Sequence, residues 1–152
     1  MDIRIYQAVP GTELTEKLLA FVRNSSWDEV KAHTADMIAE NAFTDWEAMF
    51  AAADGNEIVG HASFMKTDYY PAPEIFPWIS TVFVTERYRG MGICGMLIEH
   101  INQYARTLGF DRTYIPSEHF GLYEKYGYVY LKDIVNYGGG TDHLFVKMLS
   151  EL

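Results

Sequence analysis

The chain has 152 residues, 49% of them hydrophobic and 15% aromatic. That bounds it to one globular domain over residues 1–152, large enough to bury a core without disulfides or metals. The single cysteine, Cys94, excludes an internal disulfide and a cysteine-only metal cluster, and no metal is expected. A formal charge of −9, from 12 basic against 21 acidic side chains, lacks the basic footprint of a nucleic-acid binder, and no apolar run has signal-peptide or bilayer length. A cytoplasmic protein that binds neither nucleic acid nor membrane is therefore expected.

Ile3 to Val9 alternates apolar and polar residues, the period of a strand, and Pro10-Gly11 ends it. Thr12 is an N-cap candidate, with Glu13 and Glu16 in the first turn where acids favour the helix dipole. Leu14, Leu18, Leu19, Phe21 and Val22 then form the apolar stripe of a helix. A second helix is expected from about Asp28 to Ala39. Glu47 to Ala53 and Glu57 to Lys66 read as strands joined at Asp54-Gly55-Asn56, a strong hairpin signal. Asp68 to Pro77 is a loop rich in tyrosine and proline, suited to a substrate wall or a dimer contact.

Trp78 to Val84 reads as a buried strand. Met91 to Thr107 has helical spacing and Gly109 stops it. Arg112 to Ile115 is a short strand, and Ser117 to Tyr126 is expected to be a short helix capped by Ser117 and ended by Gly127. Tyr128 to Val135 and His143 to Met148 close the chain as a strand pair around Gly138-Gly139-Gly140. The order β-α-α-β-β-β-α-β-α-β-β describes an α/β protein whose mixed sheet is built largely from hairpins, with one βαβ crossover in its second half.

Chemistry concentrates at the junction Arg87-Tyr88-Arg89-Gly90-Met91-Gly92-Ile93-Cys94-Gly95. Two close glycines between a strand and a helix expose backbone N–H groups at a helix N-terminus, which suits a phosphate or pyrophosphate. The run satisfies G-x-G-x-x-G, but Thr85 to Arg89 separates it from the strand, whereas the dinucleotide fingerprint places its first glycine directly after one. Cys94 is read as a small residue of the first helical turn, since no recognisable histidine partner motif marks it as a nucleophile.

Arg87-x-x-Gly90-x-Gly92 resembles the Q/R-x-x-G-x-G/A signature of the GNAT acyltransferases, and about 30 residues on Phe120 to Tyr128 resembles the family's second signature, aromatic/Leu-Tyr-x-Lys-x-Gly-Phe/Tyr. The two come in the family's order, and the element order matches the GNAT acyltransferase fold over nearly the whole chain. The resemblance implies an acetyl-CoA-dependent N-acetyltransferase that moves an acetyl group to a primary amine of a small molecule or peptide by direct attack on the thioester. The alternative is a non-catalytic acyl-CoA-binding regulatory module.

It further implies that Val82, Phe83 and Val84 pair with the pantetheine arm, and that a backbone N–H of Phe83 or Val84 faces the oxyanion. Arg87, Arg89, Gly90, Met91 and Gly92 would hold the pyrophosphate with Ile93 and Cys94 of the helix start, and Ser117 would also touch the cofactor. Tyr123 is the implied general acid, because a phenol with an ordinary pKa of about 10 keeps its proton at neutral pH and can give it to the departing sulfur. The general base is not fixed: Glu74, His119 and Asp45 are candidates. His61 sits in a strand pattern and is expected in the core or on the sheet. A homodimer is the prior.

Overall fold

The structure is a computed structural model that describes residues 1–150. Its regular elements are β1 (Ile3–Gln7), α1 (Glu13–Arg23), α2 (Lys31–Glu40), β2 (Ala48–Asp54), β3 (Glu57–Met65), β4 (Trp78–Val84), α3 (Ile93–Thr107), β5 (Arg112–Ser117), β6 (Val129–Val135) and β7 (Thr141–Met148). The strands form a mixed seven-stranded sheet in the order β1-β2-β3-β4-β5-β7-β6. The chain divides into two compact units, Met1–Ser63 with Thr81–His100, and Phe64–Ser80 with the chain from Ile101 onward. No helix among the described residues is long and apolar enough to cross a membrane.

In the first unit, β1 and β2 pair antiparallel with Ile3 opposite Asp54 and Gln7 opposite Phe50. Thr12 caps α1 as expected, its hydroxyl accepting from the Thr15 N–H at 3.4 Å. α2 begins three residues later than its periodicity suggests and ends at Asn41, whose φ of 50° releases the chain. Leu18 and Val22 of α1 and Ala35 and Ile38 of α2 bury against Met49, Ala51 and Ala53 of β2. Every residue of β2 but the last is buried, so the strand is covered on both faces and reads as a continuous apolar run. The expected hairpin turns through Gly55, and Asp54 locks it by accepting from the Asp2 N–H at 2.9 Å.

In the second unit, Trp78 at the start of β4 lies opposite Tyr114 of β5 in a parallel pairing, and along the chain α3 comes between β4 and β5. β5 and β6 each pair antiparallel with β7, and a bulge falls between Tyr130 and Lys132. Tyr70, Ile75, Trp78, Ile134 and Leu144 form an apolar cluster. A buried polar triad sits apart from it. Thr113 donates to Asn102 Oδ1 at 2.8 Å, Asn102 Nδ2 donates to the Tyr128 hydroxyl at 3.1 Å, and the two hydroxyls lie 2.6 Å apart.

One expected element is absent. The stretch from Ser117 to Tyr126 is not an α-helix: it holds bends and one 3-10 turn at Glu124–Tyr126. Gly121 has a φ of +90°, outside the helical region, and the Glu124 carboxylate accepts from the Gly121 N–H at 2.8 Å. The backbone donor is thus satisfied without a helix. Ser117 ends β5 instead of capping a helix, and its hydroxyl accepts from the His119 N–H at 3.0 Å.

Candidate active site

The junction after β4 lies in the first unit. β4 kinks at Thr81, whose φ of +50° is unusual for a β-branched residue. The Thr81 and Ser63 hydroxyls are 2.9 Å apart. Val82, Phe83 and Val84 follow, then a 3-10 turn at Glu86–Tyr88 leads through Arg89 to Gly90 and Gly92. Both glycines take left-handed φ values, 79° and 82°, and a Cβ on either would meet open space. Glycine is therefore required by the backbone path, not by crowding. α3 begins at Ile93 and Cys94, directly after the second glycine, and the N–H groups of a helix start favour an anion.

The two arginines are not free charges waiting at this turn. Arg87 pairs with Glu57 of β3, and its guanidinium sits 5.1 Å from the Tyr88 ring centre. Arg89 donates from Nε to the Val84 carbonyl at 2.8 Å and lies 3.7 Å from Glu86. Glu86 also accepts from the Ser26 hydroxyl, and that bond, ahead of the Arg89 charge, holds its carboxyl below the usual range. Tyr88 donates to Asp54 at 2.8 Å, which ties the junction to the β2–β3 hairpin.

Beside the junction is a cavity of about 360 Å³ lined by Ser26, Trp27, Val82, Phe83, Glu86 and Arg89. Its aromatic floor is layered. Trp27 stacks on Phe83 at 6.0 Å, His61 stacks on Phe83 at 5.6 Å, and Arg89 stands 5.5 Å from the same ring. His61 is buried, as its strand pattern suggested, and its Nδ1 has no hydrogen-bond partner. Burial lowers its pKa from 6.5 to about 4, against a hydrogen bond to the Thr81 backbone that works the other way. It is therefore neutral at pH 7.

β3 approaches this part of β4 closely. A Cβ on Gly60 would lie 2.7 Å from the Phe83 carbonyl oxygen. A glycine inside a strand pattern is a legible sign of such an approach. Trp27 and Glu86, by contrast, stand in no motif that sequence reasoning singles out.

Tyr123 belongs to the second unit, 9% exposed, immediately before the 3-10 turn. Its ring meets Tyr128 edge-on at 6.5 Å, and its carbonyl accepts from the Tyr126 N–H at 2.9 Å. Lys147 donates to the Tyr126 carbonyl at 2.9 Å, which steadies the turn from β7. A Cβ on Gly127 would press within 3.1 Å of the Lys147 side chain. Glu74 and His119 are both exposed. Asp45, in the first unit, is exposed as well, at a φ of 55°.

The loop from Asp68 to Pro77 packs onto the β6–β7 turn within the second unit. Tyr69 meets Tyr137 edge-on at 5.8 Å, Tyr70 donates to Asp142 at 2.7 Å, and the Tyr70 ring stacks on Trp78 at 5.3 Å.

The model of the acetyltransferase (GNAT) family matches residues 11–128. A search of curated proteins finds no match. Among solved structures, the chain is similar to an aminoglycoside 6'-acetyltransferase type Ii, with a TM-score of 0.76 at 19% identity over 100% of this chain and 99% of that one. An aminoglycoside 6'-N-acetyltransferase complexed with coenzyme A gives 0.73 at 16% identity, covering 98% of both chains. A GNAT acetyltransferase from Elizabethkingia anophelis with acetyl-CoA bound gives 0.62 at 19% identity, over 97% of this chain and 98% of that one.

Proposed function

Because this chain belongs to the GNAT family of acetyltransferases, we propose that it is an N-acetyltransferase that moves an acetyl group from acetyl-CoA to a primary amine of a small molecule. The observation that carries the reading is the junction itself: left-handed Gly90 and Gly92 open α3 directly beside a cavity floored by Val82 and Phe83. A cavity of a few hundred Å³ suits a pantetheine arm with its acyl group, and a glycine-built helix start suits the pyrophosphate.

Acetyl-CoA supplies the activated thioester. The Val82–Val84 backbone pairs with the arm, and a Phe83 or Val84 N–H stabilises the oxyanion. Met91, Ile93 and Cys94 offer backbone donors to the pyrophosphate, and Ser117 a hydroxyl to the cofactor. Arg87 and Arg89 exchange Glu57 and Glu86 for phosphate oxygens, which are bidentate partners of higher charge. Tyr123 gives its proton to the departing sulfur. The net charge of −9 favours a cationic acceptor, and two of the similar structures are named as aminoglycoside acetyltransferases, so polyamines and aminoglycosides head the substrate panel.

The test is an acetyl-transfer screen over amine classes, read by thiol release, alongside thermal shift with acetyl-CoA. Saturable stabilisation and amine-dependent thiol release are expected. The reading fails if neither acetyl-CoA nor CoA stabilises the fold. Stabilisation without thiol release on any amine would instead favour the acyl-CoA-binding module. Tyr123→Phe should lower kcat at least tenfold with little change in acetyl-CoA affinity, a loss within the usual span for a general acid; an unchanged kcat removes Tyr123 from the chemistry.

A further inference from the structure

Of the residues that line the cavity in the first unit, Glu86 is the acid and Arg89 the cation. Their pairing is loose: Glu86 Oε1 lies 3.7 Å from an Arg89 Nη atom, and both side chains are more than half exposed. An exposed pair of this kind is held weakly and exchanges readily. The carboxylate has other holds. The Ser26 hydroxyl, from the segment between α1 and α2, donates to the same Oε1, and the Thr85 hydroxyl donates to Oε2 at 3.4 Å. Glu86 therefore keeps its place when Arg89 leaves it. The Ser26 bond, first among the causes, holds its carboxyl below the usual range, so it is ionised at neutral pH.

A pyrophosphate at the glycine junction is a better partner for Arg89 than a single carboxylate. Once Arg89 has turned to it, the cavity keeps a fixed carboxylate with no cation against it. Such a carboxylate, with the Trp27 indole in the same lining, is a site for an ammonium group.

We propose that Glu86 anchors a second, non-reacting ammonium group of the acceptor after acetyl-CoA has drawn Arg89 away, so that the enzyme prefers di- and polycationic amines and binds acetyl-CoA and acceptor cooperatively. The inference rests on the acetyl-transfer reading above and deepens it, naming the acid that selects the acceptor and the event that exposes it. Val82, whose backbone that reading gives to the pantetheine arm, lines the same cavity as Glu86. An acceptor that enters beside the arm can bring one nitrogen to the thioester and a second to the carboxylate if the chain between them has the right length. A monoamine leaves the carboxylate unpaired, and selectivity comes from that difference.

The signs of the effects follow. In the free protein Glu86 competes with phosphate for Arg89, so removing its charge strengthens CoA binding. The same removal takes away the ammonium anchor and weakens the diamine. By linkage, CoA strengthens diamine binding by the factor by which the diamine strengthens CoA binding. A carboxylate that only parks Arg89 would give the first effect without the second. Glu57 supplies the comparison, because it holds Arg87 in the same manner but belongs to β3 and is not among the residues that line the cavity.

The experiment compares wild type, Glu86→Gln, Glu86→Asp and Glu57→Gln. Thiol release gives kcat and KM for linear α,ω-diamines of graded length and for the matching monoamines. Calorimetry gives the affinity for CoA, which does not turn over, with and without the best diamine. Wild type should favour that diamine over its monoamine by about fivefold in kcat/KM, the worth of one exposed ion pair, and should bind CoA about fivefold tighter in its presence. Glu86→Gln should bind CoA alone about two- to fivefold tighter than wild type, lose the diamine preference through KM with kcat kept, and lose the coupling. Glu86→Asp should restore the preference with the optimum moved to a longer diamine, a shift that a merely structural role would not produce. Glu57→Gln should tighten CoA binding too, yet keep both preference and coupling. The proposal is overturned if wild type treats diamine and monoamine alike within about twofold, if Glu86→Gln keeps the preference, or if Glu57→Gln loses as much of it, which would assign the effect to net charge. Wild type that binds CoA yet releases no thiol with any amine overturns the acetyl-transfer reading itself, whereas equal thiol release from diamines and monoamines overturns the Glu86 anchor alone.

Discussion

His61 makes stability depend on pH in a way that can be isolated. It lies under Phe83 with Nδ1 unpartnered, and burial lowers its pKa from 6.5 to about 4. The folded state therefore keeps the imidazole neutral, while the unfolded chain takes a proton below about pH 6.5. This contribution to stability is complete above that pH and is lost as pH falls toward 4. At about 1.36 kcal/mol per pH unit, the whole effect is roughly 3 kcal/mol, and about 2 kcal/mol of it is gone by pH 5. Urea unfolding of wild type and His61→Leu at pH 8 and pH 5 measures it. Leucine fills a similar volume, removes the orphaned nitrogen and does not titrate. Wild type should lose about 2 kcal/mol more than the variant between the two pH values. Other titrating groups are common to both proteins and cancel in the difference. Parallel pH dependence in the two would refute the reasoning and mean that His61 is solvated or partnered in the folded protein.

Gly60→Ala places a Cβ 2.7 Å from the Phe83 carbonyl, so β3 and β4 must part; about 2 kcal/mol of stability should be lost in urea titration, with the acetyl-CoA thermal shift, and a neutral result would mean the strands separate easily. Gly92→Ala has room for its methyl group but must hold a φ of +82°, at a cost of about 1–2 kcal/mol; the same titration should show that loss together with weaker acetyl-CoA binding. Tyr128→Phe removes the hydroxyl shared by Thr113 and Asn102, and about 1–3 kcal/mol should go, while a variant as stable as wild type would show that the two remaining groups re-pair.

Much of the chain's local structure could be read directly from its residues. The Thr12 cap, the hairpin at Gly55 and the end of α3 before Gly109 each depend on the backbone needs of a few adjacent residues, so local chemistry suffices. The glycine junction is of the same kind. Gly90 and Gly92 are needed for their φ values, and that need is written in the two positions themselves. The segment from Ser117 to Tyr126 failed as a helix because its periodicity was outweighed by Gly121 and by a side chain that satisfies the backbone in place of the next turn. Glu124 could be recognised as an acid in the sequence, but not as the acceptor for Gly121.

Other parts of the candidate site depended on residues meeting from far apart. Arg87 and Arg89 are visible as charges in the sequence, yet the fold gives each an acidic partner, so an anion must displace Glu57 and Glu86 to use them. Trp27 becomes a cavity wall by stacking on Phe83, and Tyr70 and Asp142, 72 residues apart, share a buried hydrogen bond. Glu86 was one acid in an acidic chain until Ser26, 60 residues away, came to hold it at the cavity. The sequence by itself determined the family motifs, the turns and the order of elements apart from the helix expected over Ser117 to Tyr126, because these are satisfied within short stretches of backbone. Tertiary structure alone decided which charges are neutralised and which acid lines the cavity, because burial and the field of distant neighbours set an ionisable group's behaviour.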